Sequence, residues 1–263
     1  YLSYESGYIE RLKNISGEYK FMKKGMMLSE IPFGNFPVFI KNHGFDYFIV
    51  DAEHGAFDYS DVGRLIVTAR LCGIESIIRL PDNSRRDIVK FLDLGADGLL
   101  LPMTNCAKDI EKVVEYAKYI PEGKRGISTM RPHTFYRSVD LVDYMKESNE
   151  RVKVFAQIET VRGLENAEEI MNTKGVAGVL FGPNDYSSDC NVIGDNEETV
   201  LRAIDVLSDK IKKCSSIGGI ITSNKKFLNR AKSCSMQMFC VGSELSALNT
   251  GIKKIAELCD EVD

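Results

Sequence analysis

The stretch Tyr47-Phe48-Ile49-Val50-Asp51-Ala52-Glu53-His54-Gly55 decides the fold. Four apolar residues run directly into ionisable ones, and a helical pattern over Tyr59–Leu71 follows. A short apolar run without polar alternation reads as a strand buried on both faces. The same order, a β run and then an amphipathic stretch, occurs eight times along the chain. The β runs are Gly25–Leu28, Tyr47–Val50, Ser76–Arg79, Gly98–Leu101, Val154–Ile158, Val179–Phe181, Gly219–Ile221 and Met238–Val241. The helical stretches are Pro37–Asn42, Tyr59–Leu71, Arg85–Leu94, Ala107–Tyr119, Val161–Met171, Glu197–Ser215, Lys225–Cys234 and Ser243–Leu258.

Strands that alternate with helices are parallel and joined by right-handed crossovers, and eight such units point to a closed (β/α)₈ TIM barrel. A single α/β domain over residues 1–263 is therefore expected. The competing open doubly wound sheet carries a Gly-rich turn after its first strand. Here Leu28-Ser29-Glu30-Ile31-Pro32 stands in that place, and neither G-x-G-x-x-G nor a Walker A sequence occurs. Two segments stand outside the rhythm. Tyr1–Lys24 is expected to form an N-terminal helix covering the barrel bottom. Gly126–Arg151 is too long for an idle βα loop, and a lid or an inter-subunit element is expected there.

Composition narrows the function classes. The 263 residues carry a net charge of −4 with both signs mixed along the chain, which leaves no basic face for nucleic acid and no strong field for a membrane surface. Apolar runs are strand-length, too short to span a bilayer. Seven cysteines form no C-x-x-C pair and are odd in number, the pattern of reduced thiols in a cytoplasmic protein.

In a barrel of this kind the active site lies at the carboxyl ends of the strands. The second strand ends in Asp51 to Gly55, the third in Arg79 and the fourth in Pro102. The fifth ends in Gln157-Ile158-Glu159, the sixth in Gly182-Pro183-Asn184-Asp185, the seventh in Thr222, and the eighth in Gly242-Ser243. Asp51, His54, Arg79, Glu159 and Asp185 would thus converge on one rim, where ionisable groups are costly without partners. Glu159 and Asp185 come from neighbouring strands. Two close carboxylates with water and an oxygen-rich substrate make a hard octahedral site, suited to Mg²⁺ or Mn²⁺, with Co²⁺ as a further choice. The bland alternative is that each carboxylate caps the helix that follows. His54, three residues after Asp51, is a candidate acid–base group whose imidazole Asp51 could orient. Arg79 is shaped to grip a carboxylate or developing oxyanion, and an internal salt bridge to Glu53 or Asp51 is equally open. His43 reads as a helix C-terminus, and His133 as a lid contact at most. No lysine ends a strand, which argues against Schiff-base chemistry.

These residues resemble the HpcH/HpaI aldolase family. The likeness is carried by Gly44-Phe45-Asp46-Tyr47 with Asp51-Ala52-Glu53-His54-Gly55, by Ile78-Arg79-Leu80-Pro81, and by Leu92-Asp93-Leu94-Gly95-Ala96 with Leu101-Pro102-Met103. Pro121-Glu122-Gly123-Lys124-Arg125-Gly126, Gln157-Ile158-Glu159-Thr160 and Gly182-Pro183-Asn184-Asp185-Tyr186-Ser187 complete it, over about Lys24 to the C-terminus. The resemblance implies a divalent metal held by Glu159 and Asp185. It implies reversible cleavage of 4-hydroxy-2-oxo acids into pyruvate and an aldehyde through a metal-stabilised enolate. It further implies that Gln157, Gly182, Pro183 and the N–H groups near Asn184 and Asp185 help hold the small 2-oxo acid, with Arg79 on the enolate oxygen. His54, oriented by Asp51, would move protons, with Asp93 of a neighbouring subunit in support. A C-terminal helix exchanged between subunits, in a homo-oligomeric trimer or hexamer, belongs to the same expectation.

The chain departs from the family pattern where it has Asp185-Tyr186-Ser187 in place of Asp-Leu-Ser, in the short loop Ser188–Glu197 and in Ile127–Tyr136. Those regions shape the acceptor end of a pocket. Three other readings stay open. They are a citryl- or malyl-type lyase or citrate-synthase-like enzyme, a phosphate-binding isomerase using Thr222-Ser223-Asn224 and Gly242-Ser243, and a non-catalytic binding barrel.

Overall fold

Alternation along each strand sets the architecture, because successive side chains of a β-strand point to opposite faces. In the computed structural model, which describes residues 22–192, 194 and 196–261, eight parallel strands close into a barrel in the order β1 to β8. They are β1 (Lys23–Leu28), β2 (Tyr47–Asp51), β3 (Glu75–Arg79), β4 (Gly98–Leu101), β5 (Lys153–Ile158), β6 (Gly178–Phe181), β7 (Ile217–Ile221) and β8 (Met238–Ser243). One column of side chains fills the barrel interior: Tyr47, Ile49, Ile77, Leu100, Phe155, Leu180, Met238 and Cys240. The other column, with Phe48, Val50, Ile78, Val154 and Val179 among its members, packs outward against the helices.

The helices are α1 (Phe36–Asn42), α2 (Tyr59–Cys72), α3 (Arg85–Leu94), α4 (Ala107–Ala117), α5 (Leu141–Arg151), α6 (Val161–Glu165) and α7 (Ala167–Asn172). They continue with α8 (Pro183–Asp189), α9 (Glu197–Cys214), α10 (Lys225–Ser233) and α11 (Glu244–Asp260). Local chemistry fixes their ends. Asp58 and Asp61 form a reciprocal capping box at the start of α2, and Gly73 closes it in the left-handed region. The helix buries Val62, Leu65, Ile66 and Ala69 against the strands. Burying a branched aliphatic side chain of this kind contributes about 1.5–3 kcal/mol. His43 ends α1 as expected, its Nδ1 2.8 Å from the Phe39 carbonyl.

Several boundaries differ from the sequence reading. Lys23 and Lys24, placed in an N-terminal helix, open β1 instead, and residues 1–21 of that expectation lie outside the described residues. The stretch Val161–Met171 is two helices that meet at Asn166. A short helix, α8, follows β6 directly. Helix α5 lies inside the 126–151 segment. It went unread because its apolar residues Leu141 and Val142 are exposed while Ser148 and Asn149 are buried, the reverse of an amphipathic pattern.

Topology corrects the lid expectation for that segment. It follows α4 and precedes β5, so it belongs to the amino-terminal end of the barrel, opposite the strand ends that carry chemistry. Its anchors agree. Arg70 of α2 donates to the Pro132 carbonyl at 2.8 Å and stacks 4.1 Å over Phe135. Lys118 donates to the Val152 carbonyl at 2.6 Å and to that of Asn149. His133 is buried there. Its Nε2 donates to the Ser128 carbonyl at 2.8 Å, so its Nδ1 accepts from Tyr144, and burial pushes its pKa down.

Candidate active site at the carboxyl rim

The inward columns run past the apolar interior into polar residues at the strand ends. Tyr47, Ile49 and Asp51 share one face of β2, Ile77 and Arg79 one face of β3, and Phe155 and Gln157 one face of β5, with Glu159 continuing that period. Asp51 and Arg79 are direct register partners across β2 and β3. Arg79 Nε and Nη2 donate to Asp51 Oδ1 and Oδ2 at 3.0 and 2.6 Å, a bidentate pair with side chains 12% and 6% exposed. Burial on its own would raise the Asp51 pKa. Hydrogen bonds and charge from Arg79, with the backbone N–H groups of His54 and Glu53, hold it below the usual carboxylate range instead.

The salt-bridge reading of Arg79 is therefore the one the geometry contains. Glu53 joins it, Oε2 lying 3.4 Å from Arg79 Nε. The two strand-end readings are compatible, since a guanidinium carries five donors and Asp51 takes two. Around His54 the arrangement differs from the expectation. Asp51 Oδ1 accepts the His54 backbone N–H at 3.1 Å, and the carboxylate beside the imidazole is that of Glu53, whose Oε2 lies 3.7 Å from His54 Nε2. Asp51 thus holds the loop that bears His54 rather than the ring. The ring itself is 72% exposed and free to meet a ligand at the mouth.

Across the barrel stand the carboxylates expected to bind metal. Glu159 is buried and accepts the Met103 backbone N–H at 2.6 Å and the Gln157 side-chain amide. Burial pushes its pKa up to about 7 against those hydrogen bonds, with Asp185 and then Glu53 adding repulsion. Glu53 is raised in its turn, by burial first and by Asp51 and Asp185 among its neighbours. Glu159 and Glu53 therefore each feel the charge of Asp185 across the mouth, with Asp51 beside Glu53 and the Arg79 guanidinium among them. The capping alternative does not hold for either metal candidate. Thr160 caps α6 by accepting from Gly163 at 2.9 Å, and at α8 the N-cap position is Gly182, with no side-chain cap. Asp185 lies exposed in the first turn of α8, after Pro183 and Asn184. The first N–H groups of a helix have no intrahelical acceptor.

Two details fit this donor set to a cation and an anionic ligand. Gln157 Oε1 is buried and, among the described residues, without a hydrogen-bond partner, and such an atom calls for a donor or a cation beside it. Gly182 leaves the space open. A Cβ there would stand 2.7 Å from Glu159 Oε2 and 3.1 Å from Gln157 Nε2. Among the described residues no group of three or more His, Cys, Asp or Glu side chains forms a ready metal cage. A pair of carboxylates matches the habit of Mg²⁺, which keeps much of its octahedral shell for water and substrate.

Asp93 is not brought to this rim within its own chain. Helix α3 runs against the strands, and Asp93 near its end pairs with buried Arg125 at 2.8 Å, with His133 Nε2 3.8 Å away. Two contributors escaped the sequence reading. Glu53 was named only as a partner for Arg79, although its period-2 spacing from Asp51 was a usable signal. The Met103 N–H had no signal, because it is aimed at Glu159 by a left-handed backbone (φ 48°) that a non-glycine residue rarely adopts.

Known proteins show the family of the chain. A family model described as HpcH/HpaI aldolase/citrate lyase matches residues 39–246. The 5-keto-4-deoxy-D-glucarate aldolase of Klebsiella pneumoniae is 29% identical over 215 residues, 81% of this chain and 83% of that protein. The solved HpcH/HpaI aldolase of Desulfitobacterium hafniense superposes with a TM-score of 0.87 at 27% identity, covering 92% of this chain and 94% of that one. A solved citrate synthase, SbnG, shares the fold with a TM-score of 0.81 at 22% identity, over 92% of this chain and 94% of its own. With the family match spanning most of the chain and the strand-end residues arranged on one rim, the chain belongs to the HpcH/HpaI aldolase/citrate lyase family.

Proposed function

We propose that the protein is a divalent-metal-dependent aldolase that reversibly cleaves 4-hydroxy-2-oxo acids to pyruvate and an aldehyde. The observation that carries this reading is the division of the mouth into two walls. One is the buried Glu159 with Asp185 and the unpaired Gln157 Oε1, and the other is the Asp51–Arg79 pair with the exposed His54. Glu159 and Asp185 would hold Mg²⁺ or Mn²⁺, and the cation would supply Lewis-acid stabilisation for charge developing on the 2-oxo acid. Gln157 and the N–H groups of Asn184 and Asp185 seat that acid, in the turn that Gly182 and Pro183 shape. Arg79, held in place by Asp51, offers its remaining donors to the oxyanion. His54 takes the 4-hydroxyl proton, directly or through one water, as the C3–C4 bond breaks, and the bond's electron pair passes to the 2-oxo acid as its enolate. A proton returned through His54 or water to C3 completes pyruvate, and the reverse direction runs the same transfers backwards.

Two quaternary features belong to the same proposal. Helix α11 exposes Leu245, Leu248, Ile252, Ile255 and Leu258, an apolar stripe at helical spacing that supports exchange of this helix between subunits of a trimer or hexamer. Asp93 would then serve a neighbour's rim. The seven cysteines are all free, which supports a reducing, cytoplasmic setting, and among the described residues no helix is long and apolar enough to cross a membrane.

The test is a coupled assay for pyruvate release from a panel of 4-hydroxy-2-oxo acids, after chelation and with Mg²⁺ or Mn²⁺ restored. Release that needs the cation and is lost in Glu159→Ala is the expected result. Full activity in chelated protein, or in His54→Ala, would sink the mechanism. The shared fold of the citrate synthase favours one second reading, a lyase or synthase acting on a different 2-oxo acid or thioester. No release from any member by protein that binds Mn²⁺ would select it.

A further inference from the structure

We infer that Glu244 is a positioning residue for the loop that carries His54, an inference that rests on the aldolase reading of the rim. Glu244 is the first residue of α11, where a carboxylate would ordinarily face water. Here it is 2% exposed. Its Oε1 accepts three consecutive backbone N–H groups, from Ser29 at 2.7 Å, Glu30 at 2.6 Å and Ile31 at 3.3 Å, with Ser29 Oγ at 3.4 Å. Successive N–H groups that converge in this way form an anion-binding concavity in the backbone. The anion is built into the chain. A buried carboxylate is costly unless it is hydrogen-bonded. Every hydrogen bond of this one runs from the loop after β1 to Oε1, while Oε2 is buried without a partner among the described residues.

That loop bears directly on the His54 loop. The Ser29 carbonyl accepts the Ala56 N–H at 2.9 Å. Gly55 lies flat against the same residue, and a Cβ there would stand 2.6 Å from Ser29 O, 3.2 Å from Ser29 Cα and 2.3 Å from Asp51 O. His54 is thus held on one side by Asp51, through its N–H at 3.1 Å, and on the other by Ser29, whose position Glu244 sets. The path runs through β8, β1 and β2, which are contiguous in the barrel, whereas Glu159 and Asp185 stand at the ends of β5 and β6 across from them. The loop meets Glu159 and Asp185 through the charge of Glu53 and not through His54, so the position of the imidazole and the affinity for the cation should largely separate.

The experiment compares Glu244→Ala and Glu244→Gln with the parent enzyme. Displacing an acid–base group by about 1 Å costs on the order of 100-fold in rate. Glu244→Ala is expected to lose kcat on that order, with KM for the 2-oxo acid and the Mn²⁺ dissociation constant unchanged within about twofold. Amide exchange should rise at residues 29–31 and 53–56 and stay at the parent level at 157–161 and 182–187. Glu244→Gln keeps an acceptor oxygen of the same reach and should recover most of the rate. Added formate should partly restore Glu244→Ala by occupying the vacated concavity. Unchanged kcat in Glu244→Ala, equal losses in the Ala and Gln variants, or a general rise in exchange with weakened Mn²⁺ binding would each overturn the inference. Should the parent protein release no pyruvate, the aldolase reading fails, and the exchange pattern still decides the positioning role.

Discussion

Replacing Arg79 by Met removes the cation from a buried pair while leaving most of the volume in place. Among the described residues Asp51 then keeps only the backbone N–H groups of Glu53 and His54, at 3.1 Å each, as partners for a side chain that is 6% exposed. Two unit charges about 4 Å apart in an effective dielectric of about 20 attract by about 4 kcal/mol. Breaking a buried pair by removing one partner costs about 3–5 kcal/mol. For a chain of this size that is about 6–20 °C of thermal midpoint. The Asp51 pKa is depressed in the fold, so this stabilisation is present above the unfolded Asp value of about 3.9 and is lost as pH falls through the lower folded value. The assay is urea unfolding of four proteins, the parent, Arg79→Met, Asp51→Asn and the double variant, in chelator at pH 7. The double variant should be more stable than the sum of the single losses predicts, by about 2 kcal/mol or more, because Asp51, the more buried partner of Arg79, is no longer left as an orphaned charge. Additive losses within about 0.5 kcal/mol would refute the claim that the pair is the electrostatic anchor of this wall.

Glu159 titrates in the opposite sense. Its pKa of about 7 lies above the ordinary 4.5, so in metal-free protein it stabilises the fold at low pH and that contribution is lost as pH rises from about 4.5 through 7, some 3 kcal/mol in all. Glu159→Gln should flatten this part of the pH–stability curve, and an unchanged slope between pH 5 and 8 would contradict the assignment. Gly182→Ala places a methyl group 2.7 Å from Glu159 Oε2, and should weaken Mn²⁺ binding by about 10–100-fold in titration calorimetry with circular dichroism unchanged. His54→Ala, at a side chain 72% exposed, should cost about 10²–10⁴ in kcat while the thermal midpoint moves by no more than about 0.5 kcal/mol allows.

Reading the chain alone was enough for the barrel, because eight apolar runs each followed by a helical stretch leave few ways to bury every face. It was also enough to place Asp51, Arg79, Gln157 and Glu159 on one rim, since period-2 alternation from Tyr47, Ile77 and Phe155 carries the inward face to those positions. Other features belong to tertiary structure alone. That the 126–151 segment lies at the amino-terminal end follows from its place after a helix and before a strand, but its anchoring by Arg70 and Lys118 is decided only where the folded chain brings them to it. Asp51 holds the His54 backbone while Glu53 meets the ring, a choice made by side-chain geometry over a few ångströms. Met103 turns its N–H to Glu159 through a left-handed backbone that no residue preference announces. Glu244 reaches a loop 215 residues away in sequence, and no local pattern can encode a contact that exists only because β8 closes against β1.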